Sequence, residues 1–322
     1  MQTSASIRVP PPNPRLLFSY PFSVVKSCCT MPQLRIGISG WRYGPWRGAF
    51  YPKGLPQRRE LEYVGSKMNS VEINGSFYSL QRPQSYRQWR DQVPPGFIFA
   101  VKGGRFITHM KKLRDIQTPL ANFFASGLLE LKDKLGPILW QFPPIVKYDR
   151  ALFESFFELL PRDTHAAANL AKKHAALLKG RASTEADDKR ELRHAIEIRN
   201  PTFLDKDFIS LLRQHRIALV FADTARIWPY AEDITADFIY IRLHGAEQIY
   251  TSGYTDQALD YWAARIRLWS AGKEPPDAVR IAAPAPRRSA RDVYIYFDND
   301  RKVRAPFDAL SLASRLISSP AA

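Results

Sequence analysis

Cysteine is nearly absent from this chain of 322 residues. The two present, Cys28 and Cys29, are neighbours, so the sequence offers neither a disulfide framework nor a cysteine-based zinc site. No uninterrupted apolar run reaches the roughly 18 residues of a transmembrane helix. Glycine-rich nucleotide fingerprints of the Rossmann or Walker type are missing, and so is any internal repeat of solenoid length. Carboxylates are scarce relative to cations: 31 Asp+Glu stand against 47 Lys+Arg, a net charge of +16. Such an imbalance draws polyanions, anionic lipid headgroups or phosphorylated small molecules without choosing among them. What is present is ordinary for a globular protein, with 45% hydrophobic and 24% charged residues. A chain of this length buries a large core without staples, and α/β barrels fill it as one domain. With no disulfide framework and no membrane helix, the chain reads as cytoplasmic.

The start, Val9-Pro-Pro-Pro-Asn-Pro, is breaker-rich. Residues 16–25 imitate the apolar region of a signal peptide, but Lys26 and Cys28-Cys29 occupy the places of its small cleavage-site residues. Residues 1–30 are therefore expected to be a disordered extension, or to precede a true start at Met31. Residues 31–318 then form one domain carrying two insertions. The first, residues 163–193, predicts a helix over 166–178 and a polar loop over 180–188, with His165, His174 and His194 as surface groups on or beside it. The second, residues 273–291, holds Pro275, Pro276, Pro284 and Pro286 among Ala and Arg, and predicts a mobile basic loop.

Elsewhere the pattern alternates. Apolar, β-branched runs bounded by turn residues predict strands over 34–39, 70–74, 97–102, 137–142, 194–199, 217–223, 237–244 and 292–298. Helical periodicity fills most intervals, over 58–68, 85–92, 119–132, 151–160, 206–215, 256–269 and 304–317. Eight strands alternating with helices imply parallel pairing and an α/β, TIM-barrel-like (β/α)8 domain, with an open doubly wound sheet as the alternative. The interval between Asp223 and Asp237, with Trp228-Pro229 in its middle, is too short for a crossover helix, so the barrel is expected to be distorted around its sixth and seventh strands.

In a barrel, strand interiors pack a dry core and the C-terminal strand ends carry the chemistry. Here those ends supply Ser39 and Trp41, Glu72 and Asn74, Lys102, Gln141, Glu197 and Arg199, Asp223, Arg242 and His244, and finally Asp298, Asn299 and Asp300. Residues two apart on a strand face the same way, so Glu72 and Asn74, Glu197 and Arg199, and Arg242 and His244 form same-face pairs. Polar pairs on an inward face are costly unless they find partners or a ligand. One reading is a functional mouth; the other is a buried structural ion-pair network of Glu72, Lys102, Glu197, Arg199, Asp223 and Arg242. Lys102 beside carboxylates suits a base, a Schiff-base amine or a counter-ion.

These residues also carry a resemblance. SGW at 39–41, FYP at 50–52, VEINGSFY at 71–78, FAVKG at 99–103, ITH at 107–109, LGPILWQFPP at 135–144, EIRNP at 197–201, Asp223-Thr224, YIRLHG at 240–245 and YFDND at 296–300 resemble, in order, the YecE-like proteins, the family called domain of unknown function 72. The likeness covers about residues 34–310 and leaves the two insertions outside. It implies a TIM-barrel-like fold and brings no assigned activity. It carries the family's polar strand-end positions onto Glu72, Asn74, Lys102, His109, Gln141, Glu197, Arg199, Asp223, Arg242, His244 and Asn299. Where the family commonly has two successive asparagines, this chain has Asp298 before Asn299, which adds a negative charge beside the site.

Three functions fit. The first is an enzyme, of hydrolase, isomerase or lyase type, acting on an anionic small molecule bearing phosphate or carboxylate. Glu72, Lys102, Glu197 and Asp223 would be its catalytic groups, with Arg199, Arg242 and Lys102 as anion clamps. Trp41, Asn74, Tyr78, His109, Gln141, His244 and Asn299 would complete substrate binding. The second is a nucleic-acid-binding or DNA-repair-like protein. It draws on basic clusters at Lys111, Lys112 and Arg114 and at Arg287, Arg288 and Arg291, with Trp41, Tyr43, Trp46, Phe77 and Tyr78 interleaved for stacking. The third is a noncatalytic ligand-binding module. Only His109 and His244 are placed as metal ligands, without a compact motif, so no metal is expected, and no cofactor is identified. Paired glycines at Gly103-Gly104 before Arg105 suit a phosphate-cradling turn or a plain one.

Overall fold

The structure, a computed structural model, describes residues 31–300 and 302–317; the expectation for residues 1–30 lies outside them. Eight runs rich in Ile, Val, Phe and Tyr form β1 (Leu34–Ser39), β2 (Ser70–Ile73), β3 (Ile98–Lys102), β4 (Leu135–Gln141), β5 (His194–Glu197), β6 (Ala218–Asp223), β7 (Phe238–Leu243) and β8 (Asp292–Phe297). All neighbours pair in parallel and β8 returns to β1, so the sheet closes as a barrel and the open-sheet alternative falls. The helices are α1 (Glu60–Gly65), α2 (Gly75–Tyr78), α3 (Pro83–Asp91), α4 (Gln117–Ala125), α5 (Arg150–Leu159), α6 (Thr164–Ala171), α7 (Lys206–Gln214), α8 (Asp256–Ser270) and α9 (Ala305–Ile317).

Strand alternation divides the core in two. Ala100, Leu139, Ala195, Val220, Tyr240 and Tyr296 fill the barrel interior with their neighbours, while Ile38, Val71, Val101, Trp140, Ile196 and Ile295 face the helical layer. Alanines on β3, β5 and β6 share this interior with tyrosines from β7 and β8. His194, expected at the surface, has helix-facing parity and is fully buried. Trp140 Nε1 donates to its Nδ1 at 3.1 Å, and its Nε2 stands 2.8 Å from the Pro161 carbonyl.

The first insertion is only partly helical. Asp163 caps α6, accepting from the Ala166 amide at 2.7 Å. The helix stops at Ala171, short of the expected span, because the Ala175 amide turns aside to Asn122 Oδ1 at 2.8 Å. Between β6 and β7 no helix forms, as the short interval predicts, and buried Ala231, Glu232, Asp233 and Ile234 lie there instead. The proline-rich residues 273–291 hold no helix or strand among themselves before Asp292, but the mobile loop expected for them is corrected. Asp233 accepts from the Ile281 and Ala282 amides at 2.8 and 2.9 Å, and Glu232 accepts from the Val279 amide at 3.1 Å. Arg265 on α8 pairs with Glu232 and Asp277, and Arg213 on α7 donates to the Ile234 and Ala283 carbonyls. The segment is fastened over the gap where a crossover helix would sit.

Candidate functional site

The inward residue at the C-terminal end of each strand meets its neighbours at one mouth of the barrel. At its floor lies Arg242, fully buried at the end of β7. Its Nη2 donates to Glu72 Oε1 at 2.8 Å and to Asp298 Oδ2 at 2.8 Å, its Nε to Glu72 Oε2 at 3.1 Å, and its Nη1 to Glu197 Oε2 at 2.5 Å. Glu72 also accepts from Ser39 Oγ at 2.8 Å and Tyr240 Oη at 2.6 Å. Both oxygens of Glu72 are thus doubly occupied, and every nitrogen of the guanidinium has an acceptor. Burial alone would raise the Glu197 carboxyl, but Arg242 and Arg199, followed by His244 and Lys102, outweigh it and hold it well below the usual carboxylate range. Burial likewise opposes Asp298, and Arg242 with the His244 hydrogen bond brings it down to about 2. His244 Nδ1 stands 3.1 Å from Asp298 Oδ2, and its Nε2 3.3 Å from Arg242 Nη1.

Above this floor opens a cleft of about 770 Å³ lined by Tyr43, Asn74, Phe77, Tyr78, Lys102, Arg105, His109, Met110, Gln141, Arg199, Tyr250, Asp298 and Asp300. Lys102 is the inward residue at the end of β3. Two local features fix it. Ser76 Oγ donates to the Lys102 carbonyl at 2.6 Å, and the next residue, Gly103, packs so close to Trp140 that a Cβ would fall 2.2 Å from the indole ring. The Gly103 amide donates to the Leu139 carbonyl at 2.8 Å, so it is engaged in the sheet and does not serve as a phosphate cradle. Lys102 Nζ lies 4.3 Å from the centroid of Phe77. Among the described residues no carboxylate stands within 4.0 Å of it, the limit for an ion pair. Burial, then the neighbouring Arg242, push Lys102 down to about 8 against partial opposition from Glu197, Glu72 and Asp298.

The chain leaves β3 through a π-helical turn, Phe106–Met110, that directs His109 into the cleft. Such turns are frequent where a helix is distorted to place a functional group. Thr108 Oγ1 lies 2.9 Å from His109 Nδ1, and Gln141 Nε2 lies 3.5 Å from its Nε2. Burial, then Lys102 and Arg199, push His109 down to about 4, so its imidazole is neutral at pH 7. Arg199 lies on the face of Trp228 at 3.6 Å, donates through Nε to Glu197 Oε1 at 2.9 Å and through Nη2 to Tyr250 Oη at 3.2 Å. Tyr250 has a positive φ of 62°, a conformation costly for a bulky residue. The Asn74 Oδ1 atom is buried without a hydrogen-bond partner and belongs to a residue lining the same cleft.

Of the residues expected at the site, Asn74, Tyr78, Lys102, His109, Gln141 and Arg199 line the cleft. Glu72, Glu197, Arg242 and His244 form its buried floor. Three belong elsewhere. Inward residues of β6 are Ala218, Val220 and Ala222, so Asp223 faces outward, where it accepts from Tyr254 Oη at 3.0 Å and burial raises its pKa. On β8 the inward set is Tyr294, Tyr296 and then Asp298, which turns Asn299 outward to donate to Asp308 Oδ2 at 2.8 Å and the Ser252 carbonyl at 3.0 Å. Trp41 packs edge-on against Trp89 at 5.3 Å and lines a separate recess of about 260 Å³, which shares Tyr43, Asn74 and Tyr78 with the cleft. Arg242, expected as a clamp, has all its donors occupied by the protein. Asp298 is the site residue that strand parity identifies in place of Asn299. Tyr250 and Trp228 come from loops that carry no periodic signal.

Among the described residues no group of three or more His, Cys, Asp or Glu is placed to hold a metal ion, and no helix is long and apolar enough to cross a membrane.

The UPF0759 protein YunF of Bacillus subtilis is 27% identical over 114 residues, covering 34% of this chain and 39% of that protein. The UPF0759 protein YecE of Escherichia coli K12 is 30% identical over 121 residues, covering 33% and 42%. This chain therefore spans about two fifths of the length of these curated relatives. A DUF72 family protein of Thermotoga maritima has the same fold with a TM-score of 0.65 at 23% identity, over 89% of this chain and 100% of that one. One from Enterococcus faecalis gives 0.63 at 17%, over 90% and 97%. The profile of the family described as "Protein of unknown function DUF72" matches residues 35–321, from the first strand through the last helix, and the chain belongs to that family.

Proposed function

We propose that the cleft is the active site of an enzyme acting on a small molecule that carries a phosphate or carboxylate. Arg105 and Arg199 would receive the anionic group, and Lys102 would stand at the reacting centre. The observation that supports this reading most is the Lys102 ammonium, which is buried, has no carboxylate within ion-pair reach among the described residues, and faces open space. A buried charge left without a counter-ion is costly, and an anion in the cleft would relieve it. Glu72 is committed to Arg242, Ser39 and Tyr240, so it serves the floor and not proton transfer. Glu197 and Asp298, held ionised, stabilise positive charge, and the His109 imidazole, pushed down to about 4 and neutral at pH 7, serves as a hydrogen-bonding group for the substrate.

The test is thermal stabilisation of the full chain by inorganic phosphate and by a panel of phosphomonoesters and carboxylates. The expected result is a concentration-dependent rise in Tm for the parent chain that is lost in Lys102→Met. No rise with any anion, or an equal rise in the variant, would overturn it. A noncatalytic binding module would lose ligand in the same variant while no turnover of any panel member is detected in the parent.

A second reading, a nucleic-acid ligand, is favoured by the rim. Tyr78 and Met110, 67% and 63% exposed, line the cleft together with Arg105, which lies 5.9 Å from the centroid of the Tyr78 ring. Anisotropy titration with a labelled oligonucleotide should then give a salt-dependent affinity that Tyr78→Ala weakens.

A further inference from the structure

We infer that Lys102 is a covalent catalyst whose Nζ condenses with an aldehyde or ketone carbonyl of the substrate to form an imine. This rests on the reading of the cleft as the site of an anionic small molecule and narrows it to oxo acids or phosphorylated carbonyl compounds.

The geometry separates Lys102 from an ordinary structural lysine. A counter-ion lysine contacts its carboxylates, whereas here Arg242 takes all three nearby carboxylates at 2.5–2.8 Å and leaves Lys102 outside the pairing. An anchoring lysine donates to backbone carbonyls, as Lys134 does to Arg90 and Val93 at 2.7 Å each. Lys102 has instead the face of Phe77 on one side and the cleft on the other. Its position at a strand end, locked by Ser76 and by Gly103 against Trp140, holds the amine where a bound carbonyl would be reached without moving the backbone. A lysine becomes nucleophilic when it is desolvated or placed beside another cation, and Lys102 is both. The charged groups acting on it are Arg242 from β7, Glu197 from β5, Glu72 from β2 and Asp298 beyond β8, while the His109 imidazole on the turn after β3 is neutral at pH 7.

The step is balanced without a redox partner. The neutral amine attacks the carbonyl carbon, the C=O π pair moves to oxygen, and a proton passes from nitrogen to that oxygen to give a carbinolamine. The hydroxyl then takes up a second proton and leaves as water while the nitrogen lone pair forms C=N. That second proton comes from solvent through the open cleft, where the neutral His109 imidazole offers a hydrogen bond to the carbinolamine. The negative charge of Glu197 and Asp298 below would favour the iminium cation that results.

The experiment is reductive trapping. The full chain is incubated at pH 7.5 with sodium cyanoborohydride and, separately, glyoxylate, pyruvate or dihydroxyacetone phosphate, then read by intact mass and peptide mapping. A lysine with a pKa of about 8 carries on the order of a hundred times more neutral amine at that pH than a solvated lysine. The expected result with at least one probe is a single adduct, of the carbonyl mass less one oxygen, on Lys102. It should form more than about tenfold faster than on exposed Lys112 or Lys173. Excess inorganic phosphate should slow it, a control that needs no variant. Lys102→Arg should abolish this adduct while the slow labelling of the surface lysines continues unchanged. If phosphate stabilises the parent chain but Lys102 reacts no faster than the surface lysines, the imine is overturned and the anion site survives. If neither is seen, both fail.

Discussion

Arg242 and Lys102 are both buried cations at one barrel mouth, yet their substitution should have opposite effects on stability. Removing Arg242 leaves Glu72, Glu197 and Asp298 facing one another without their shared cation. Breaking a buried pair in that way costs about 3–5 kcal/mol, and here three carboxylates lose one partner. Arg242→Met is therefore expected to lower the urea midpoint severely or to fail to fold; a variant as stable as the parent would contradict the network. Lys102 works the other way. Its folded pKa of about 8 lies below the ordinary 10.5, so the unfolded chain holds the proton more tightly. Stability from this group is lowest below pH 8 and rises between pH 8 and 10.5. The gap corresponds to about 3 kcal/mol at most. Lys102→Met should accordingly stabilise the chain by about 1–3 kcal/mol at pH 7, a gain that shrinks as pH approaches 10.5 in parallel urea titrations. The residue types of the site were legible from polar strand ends, but their roles were not. Parity alone would have moved Asp223 and Asn299 outward and put Asp298 inward. What parity does not give is which cation Glu72 chooses, since Arg242 and Lys102 both face inward and only side-chain reach and geometry decide.

Among the elements, the connection from β6 to β7 departs most from the repeating pattern. Without a crossover helix, the outer faces of both strands need other cover, and two buried carboxylates organise it. Asp233 gathers two backbone amides of the proline-rich segment, and Glu232 joins a third to Arg265. Proline makes the segment incapable of a sheet or helix ladder, so its remaining amides need such acceptors. Asp233→Ala would leave the Ile281 and Ala282 amides without their partner, at about 1–3 kcal/mol. Trypsin should then cut the chain at Arg280, Arg287 or Arg288 well before the parent is cut at those sites. Equal cleavage rates would mean that the segment is held by something other than Asp233. The absent helix was legible from the interval length, and the irregularity of residues 273–291 from their prolines. Their docking was not, because the acceptors lie some 48 positions upstream and carboxylate-to-amide contacts have no periodic signature.

On the scale of the whole molecule, the closed barrel was the most legible property, since eight alternating runs constrain topology strongly even where single boundaries shift. The net charge of +16 says least about the site. Arg8, Arg15 and Lys26 lie among the first thirty residues, and the two insertions hold more cations than carboxylates. The floor of the mouth, by contrast, sets Arg242, with Arg199 at its edge, against Glu72, Glu197 and Asp298. This closed set of charges should govern how the protein meets acid. Glu197 and Asp298 have folded pKa values below their unfolded ones, so their contribution is fully present above about pH 4.5. As pH falls below that, the unfolded chain takes up protons that the folded chain refuses until about pH 2, and stability drops. Asp298 alone accounts for about 2 kcal/mol of that loss. Asp223 and Asp308, raised by burial, act in the opposite sense and soften the decline without reversing it. Glu197→Gln removes one titrating carboxylate while keeping its shape. It should be less stable than the parent at pH 7, and the difference between the two should narrow steadily in urea titrations at pH 4.5, 3 and 2. A constant difference across that range would mean that the Glu197 carboxylate is not held ionised by the cations around it.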